Sequence, residues 1–142
     1  MFLTLQKMAL YFDPKGSVLQ TADGTPKGPL SSFYFLRSLE DDVFTSPLVV
    51  YSISDERTTR YVHLLFGLRF HSLYAIDTTF ASVLYVVFHD LESMWPELVK
   101  DIRRGTLKKE LVMAKDHRAE LESYLSPDPQ RADELEVEFK KG

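Results

Sequence analysis

Cysteine is absent from the chain. That excludes disulfides, iron–sulfur clusters and thiolate zinc sites, and it removes the thiol nucleophile of many acyl transferases. The absence agrees with a reducing compartment, and a cytoplasmic location is the expectation. Long apolar runs are missing as well. The most hydrophobic stretch, Val83 to Phe88, is far shorter than the roughly 20 residues a helix needs to cross a bilayer. Met1 to Lys7 lacks a charged start, a long apolar core and a small-residue cleavage site. No secretory signal and no membrane partner are therefore expected. Nor is there an excess of positive charge: 21 acidic and 17 basic side chains are mixed along most of the chain, for a net charge of −4. Without an extended basic field, binding to nucleic acid is not expected. Internal repeats and low-complexity tracts are lacking too.

What is present is enough for one folded unit: 142 residues, 44% of them hydrophobic. Met8 to Phe12 reads as a strand stopped by the turn Asp13-Pro14-Lys15-Gly16. Ser17 to Pro29 is polar and punctuated by Gly24, Pro26, Gly28 and Pro29, which predicts an irregular or hairpin-like excursion. A phosphate-binding loop would need a helix directly after it, whereas Leu30 to Leu36 is strand-like. Pro47 to Ser52 is β-branched and predicts a short strand.

Ser54 then reads as an N-cap, with Asp55 and Glu56 suiting the positive end of a helix that runs to about Phe66. Tyr61, Leu64, Leu65 and Leu68 would share one face of it. Phe70 to Ile76 predicts a further strand, with Asp77 capping the next segment. Phe80, Val83, Leu84, Val87, Phe88 and Leu91 recur at helical spacing and predict a buried helix. Pro96 suits the first turn of a separate helix, and Gly105 its C-terminal stop. After Thr106 the chain is polar and helical in character. Asp128-Pro129 opens a last helix in which Ala132, Leu135 and Phe139 recur. The fold class expected is α/β, with short mixed strands in the N-terminal half, helices packed on them and a mainly helical C-terminal third.

Candidate chemistry is sparse. His63, His71, His89 and His117 fall on separate elements without an HExxH or i, i+4 pairing, so no metal site is expected. His63 lies beside an apolar helix face and reads as a hydrogen-bonded core or boundary residue. Asp55-Glu56 could act as paired carboxylates, but a helix-start role explains them. No serine stands in a Gly-x-Ser-x-Gly elbow. His63 or the Asp55-Glu56 pair would be the centre if the chain were a small enzyme of its own.

Several strings, taken in order, carry more information. They are Met8-Ala9-Leu10-Tyr11-Phe12, Gly28-Pro29-Leu30-Ser31-Ser32-Phe33-Tyr34, Phe44-Thr45-Ser46-Pro47, Leu64-Leu65-Phe66-Gly67-Leu68, Trp95-Pro96-Glu97-Leu98, Asp101-Ile102-Arg103-Arg104-Gly105-Thr106-Leu107 and Leu125-Ser126-Pro127-Asp128-Pro129. Their order and spacing resemble the Gretchen Hagen family of auxin-responsive acyl acid-amido synthetases, a branch of the adenylate-forming superfamily. The resemblance implies that residues 1–142 are a partial segment of a larger N-terminal α/β domain, from a truncated or partial gene product. It implies a two-step reaction in full-length relatives: ATP and Mg²⁺ activate a small carboxylic acid to an acyl-adenylate, and an amino acid displaces AMP to form an amide.

The family's Ser/Thr/Gly-rich phosphate loop, Tyr-Ala-Ser-Ser-like segment and ribose-binding aspartate segment have no counterpart in these strings. The resemblance therefore implies no catalytic residue and no cofactor site in this chain. It assigns part of an acyl-acid pocket to Ser32 and Tyr34 on a strand and to Thr58, Tyr61 and Leu65 on the following helix. Ser31-Ser32-Phe33-Tyr34 departs from the family's Thr-Ser-Tyr-Tyr, which leaves the acid's identity open. A non-catalytic interaction or scaffold protein derived from the family is the alternative. For a fragment, apolar surface left uncovered by missing neighbouring strands is expected to give self-association or poor folding.

Overall fold

The computed structural model describes residues 6–10, 19–27, 44–78 and 81–141. The expected strand at 30–36, with Ser32 and Tyr34, lies outside them. In chain order the elements are strands β1 (Gln6–Leu10), β2 (Leu19–Gln20) and β3 (Pro26–Lys27), a 3₁₀ helix (Leu48–Ser52), helix α1 (Glu56–Leu68), strand β4 (Leu73–Thr78), and helices α2 (Ala81–Arg104), α3 (Lys115–Ser123) and α4 (Pro129–Phe139). Strands and helices are both present, but the described residues are mainly helical. The α/β expectation holds only in that coarser form.

β1 and β4 pair in parallel, Met8 opposite Ile76 and Leu10 opposite Thr78. Parallel strands cannot be joined by a tight turn, and here the connection carries α1. β2 and β3 form a small antiparallel hairpin. Its turn is closed by Gly24 N–H donating to the Thr21 carbonyl at 2.9 Å, with Gly24 at φ +83°, a conformation open to glycine because it has no Cβ. The hairpin-like excursion read from the prolines and glycines is present there.

Five expectations are corrected. Pro47 to Ser52 is a 3₁₀ helix in place of a strand. Val50 N–H donates to the Pro47 carbonyl and Ile53 N–H to the Val50 carbonyl, both at 3.1 Å, and this tight turn buries Val49 and Val50. β-propensity measures how well a side chain fits a pleated, partly buried surface, so burial gained another way overrides it. Second, Asp55 caps α1, its Oδ1 accepting from Thr58 N–H at 2.8 Å, while Ser54 is exposed one position outside. A carboxylate adds attraction to the helix dipole that a hydroxyl lacks.

Third, the strand after α1 begins at Leu73 and continues past Ile76 to Thr78, with Asp77 opposite Ala9, while the cap expected from the Asp77 side chain lies outside what is described. Fourth, α2 is one helix of 24 residues with Pro96 inside it, where two helices were expected. Proline at an interior position costs about 3 kcal/mol through its lost N–H and ring clash. Buried Val87, Met94, Leu98, Val99 and Ile102 continue past Pro96 at helical spacing. Each contributes roughly 1.5–3 kcal/mol, which outweighs the defect. The first half of α2 is not buried as expected: Val87 is interior, but Tyr85 and Phe88 are exposed.

α1 is the centre of the core. Every residue from Tyr61 to Gly67 is buried, so the helix is enclosed on all sides and not only along the expected stripe. α2 packs along it, and α4 packs on α2 with Trp95 stacked on Phe139 at 5.5 Å between ring centres. The ends of α2 and α4 follow the sequence closely. Gly105 sits at φ +65°, Thr106 N–H returns to the Asp101 carbonyl and Gly105 N–H to the Ile102 carbonyl, the two bonds of a Schellman stop. Asp128 caps α4 by accepting from Arg131 N–H at 2.9 Å, and Ala132 and Leu135 are its buried residues.

Candidate functional site

Of the five residues assigned to an acid pocket, Thr58, Tyr61 and Leu65 are described, and all three are interior. Thr58 Oγ1 accepts from Val112 N–H at 3.0 Å. Tyr61 donates its hydroxyl to Asp101 Oδ2 at 2.8 Å, and the same oxygen accepts from Lys108 N–H at 2.8 Å. Lys108 Nζ lies 4.4 Å from the centre of the Tyr61 ring. Burial raises the Asp101 carboxyl above its ordinary range, and the hydrogen bonds from Tyr61 and Lys108 oppose the rise. Burial first, and then the Asp101 charge, push the Tyr61 phenol far up, so it stays a donor. These contacts bind α1 to the end of α2 and to the loop beyond it.

His63 is wholly buried. Its Nδ1 is 2.7 Å from Ser46 Oγ, the Tyr51 ring lies edge-on at 5.0 Å, and its Nε2 has no hydrogen-bond partner. Burial lowers its pKa to about 3. A neutral imidazole with so low a pKa is a poor general base near neutral pH, so the Ser46–His63 contact is structural. Asp55 is engaged as the α1 cap, and Glu56 pairs with Arg60 at 3.7 Å one turn on. His71 pairs with Glu134 at 3.1 Å and His89 stacks on Tyr85. Among the described residues no three His, Asp or Glu side chains gather as a metal site.

Three clefts border these elements. One of about 300 Å³ lies between α1 and α2, lined by Glu56, Arg60, Ser82, Val83 and Val86. Arg60 is mostly buried there and pairs with Asp90. A second, of about 690 Å³, is walled by Lys100, Arg104, Lys108, Lys109 and Arg118 around Asp101. A third, of about 360 Å³, lies at the opposite end of α1 and includes Arg69. The sequence pointed to α1 but not to the side of it that borders a cleft. Arg60, four residues after Glu56, was legible as a helix pair. The Tyr61–Asp101 bond was not, because it joins residues 40 apart in sequence.

Comparison with known proteins gives these sites a context. The chain is 33% identical over 140 residues to indole-3-acetic acid-amido synthetase GH3.6 of Arabidopsis thaliana, covering 93% of this chain and 23% of that protein. It is 35% identical over 82 residues to jasmonoyl–L-amino acid synthetase JAR4 of Nicotiana attenuata, covering 57% and 14%. The chain thus spans less than a quarter of these curated relatives. The fold matches the solved GH3.15 acyl acid amido synthetase with a TM-score of 0.74 and 27% identity, over 98% of this chain and 24% of that one. It also matches AtGH3.15 in complex with 2,4-DB at a TM-score of 0.77. Residues 3–142 match the GH3 family N-terminal domain, and the chain belongs to the GH3 family.

Proposed function

We propose that this chain forms part of the acid-binding wall of an acyl acid-amido synthetase and has no adenylation activity by itself. The carrying observation is 33% identity to an acid-amido synthetase across 140 residues. In the longer relatives, ATP and Mg²⁺ would activate a small carboxylic acid, and an amino acid would then take the acyl group. The α1–α2 cleft offers the acid the apolar Val83 and Val86, beside Arg60, whose charge is shared with Asp90 and Glu56. Ser32, Tyr34, Thr58, Tyr61 and Leu65 remain the proposed wall, with Tyr61 and Leu65 acting from the interior by fixing the position of α1. A cytoplasmic location is part of the proposal, and no described helix is long and apolar enough to cross a membrane.

The alternative, a non-catalytic interaction protein, is favoured by one observation, the exposed apolar start of α2 at Tyr85 and Phe88. ATP–pyrophosphate exchange with a panel of aryl and alkyl carboxylic acids, together with calorimetric titration of those acids, tests the leading reading. The chain is expected to give no exchange, and to bind an acid in a manner weakened by Tyr61→Ala and Leu65→Ala. Exchange activity in the isolated chain would refute the first part, and acid binding that survives both substitutions the second.

A further inference from the structure

The second cleft, at the C-terminal end of α2, is walled by more cations than the fold pairs. Lys108 pairs with Glu97, and Arg118 lies 3.5 Å from Glu122. Lys100, Arg104 and Lys109 line the same cleft, and none of them forms an ion pair among the described residues. Lys100 and Arg104 stand one turn apart and share a side of α2. A helix C-terminus repels anions through its open carbonyls. Here several of those carbonyls are occupied. That of Asp101 accepts from Thr106 N–H at 3.2 Å, and that of Ile102 accepts from Gly105 N–H at 3.3 Å and Asp128 N–H at 3.0 Å. In the loop beyond, Arg118 donates to the carbonyls of Lys108 at 3.2 Å, Lys109 at 3.4 Å and Leu111 at 3.0 Å.

Asp101 is only 6% exposed, yet it lines this cleft. Both hydrogen bonds it receives, from the Tyr61 hydroxyl and from Lys108 N–H, go to Oδ2. Oδ1 accepts none among the described residues, and it is not one of the fully enclosed unpartnered atoms, which are Thr45 Oγ1 and His63 Nε2. Asp101 Oδ1 is therefore reached from the cleft. Thr106, exposed on the same wall, adds a hydroxyl donor. An anion drawn in by Lys100, Arg104 and Lys109 thus meets a fixed carboxylate oxygen that accepts hydrogen bonds and, when ionised, gives none. Such an anion fits only if it carries a hydrogen of its own for Oδ1. One without a hydrogen would face the carboxylate charge to charge.

We propose that this cleft binds inorganic hydrogen phosphate, its P–O–H donating to Asp101 Oδ1 and its other oxygens accepting from Arg104, Lys100, Lys109 and Thr106. Charge-assisted bonds from an arginine fork and from ammonium groups are the strong ones available to an oxyanion. Sulfate has the same tetrahedral shape and the same charge, but it carries no proton at neutral pH. Asp101 therefore admits the first ion and rejects the second. The cleft, at about 690 Å³, is larger than the ion, so the ion sits at the Asp101 end and water fills the rest. No lining residue is shared with the α1–α2 cleft, so the site stands apart from the acid-wall proposal.

The test is an amide NMR titration of the whole chain with sodium phosphate and with sodium sulfate, at neutral pH and at an ionic strength held constant with sodium chloride. Phosphate is expected to give saturable shifts confined to residues 100–110 and 118. Sulfate should bind at least about tenfold more weakly, a difference of about 1.4 kcal/mol. Arg104→Gln, at an exposed position without an ion pair, should weaken phosphate by a similar factor. Asp101→Asn is the diagnostic variant. Its amide oxygen still accepts from Tyr61 and Lys108, while its NH₂ group, turned to the cleft, donates to either ion. Sulfate should then bind as tightly as phosphate, which a mere loosening of the fold would not produce. A dispersed spectrum of each free variant establishes that it is folded, and should Asp101→Asn fail to fold, the native chain and Arg104→Gln decide. Absence of saturable shifts up to about 50 mM phosphate would overturn the proposal, since a site with three unpaired cations should hold at millimolar strength. So would equal binding of sulfate and phosphate by the native chain, phosphate binding unchanged by Arg104→Gln, or a preference for phosphate that survives Asp101→Asn.

Discussion

The imidazole at position 63 makes the folding of this chain depend on acidity. Wholly buried, with Nε2 unpartnered, it is held neutral, and burial lowers its pKa to about 3 from an ordinary 6.5. In the unfolded chain it takes up a proton near pH 6.5, and in the folded chain not until about pH 3. The stabilising contribution is therefore complete above pH 6.5 and is lost as pH falls toward 3. Its slope is up to about 1.4 kcal/mol per pH unit. Asp101, whose carboxyl burial raises, contributes with the opposite sign, so the comparison has to be with a variant at 63. Urea unfolding of the native chain and of His63→Asn between pH 7 and 4 should give a clearly flatter pH profile for the variant; parallel profiles would contradict this account. Sequence placed His63 at the edge of an apolar face, as a core or boundary residue, and the structure places it in the core. Its Ser46 partner lies 17 residues away and could not be read.

Elements were legible where local chemistry decides them. The stop of α2 at Gly105 and the start of α4 at Asp128-Pro129 depend on φ, on a cap and on residues a few positions apart. The structure adds a reason why position 105 has to be glycine. A Cβ there would lie 2.4 Å from Pro127 N and from Ser126 C, so the turn before α4 is seated directly against the end of α2. Asp128 N–H donates to the Ile102 carbonyl at 3.0 Å and ties the same two ends together. Gly105→Ala combines a strained φ with a backbone clash and should destabilise the chain by about 2 kcal/mol or more. A thermal or urea melt measures this, and a change below about 0.5 kcal/mol would argue against the close seating. The 3₁₀ helix at Leu48–Ser52 and the unbroken α2 were not legible. Both depend on what the side chains pack against, and a β-branched run or a proline does not encode that.

At the scale of the molecule, the described fold leaves apolar surface at one end. Tyr85 is 75% and Phe88 47% exposed, three residues apart on one side of α2. The fold matches 24% of a solved synthetase chain, so this chain spans only part of that protein's length. Isolated, this chain is proposed to associate with itself through that face. Sedimentation velocity should show a weight-average mass that rises with concentration, and Tyr85→Lys with Phe88→Lys should restore the monomer. A native chain monomeric throughout the micromolar range would remove the proposal.

The sequence by itself determined the family, through the order of its short strings, and the stop of α2, the start of α4 and the hairpin turn, each set by chemistry within a few residues. The tertiary structure decided which α1 side chains are spent on packing. It turned Tyr61 toward Asp101 and buried Leu65, and it brought Arg69 and Asp128, 59 positions apart in the chain, to a single cleft. Contacts between distant segments follow from the shared burial of several elements, and no local pattern records which side chains will meet there.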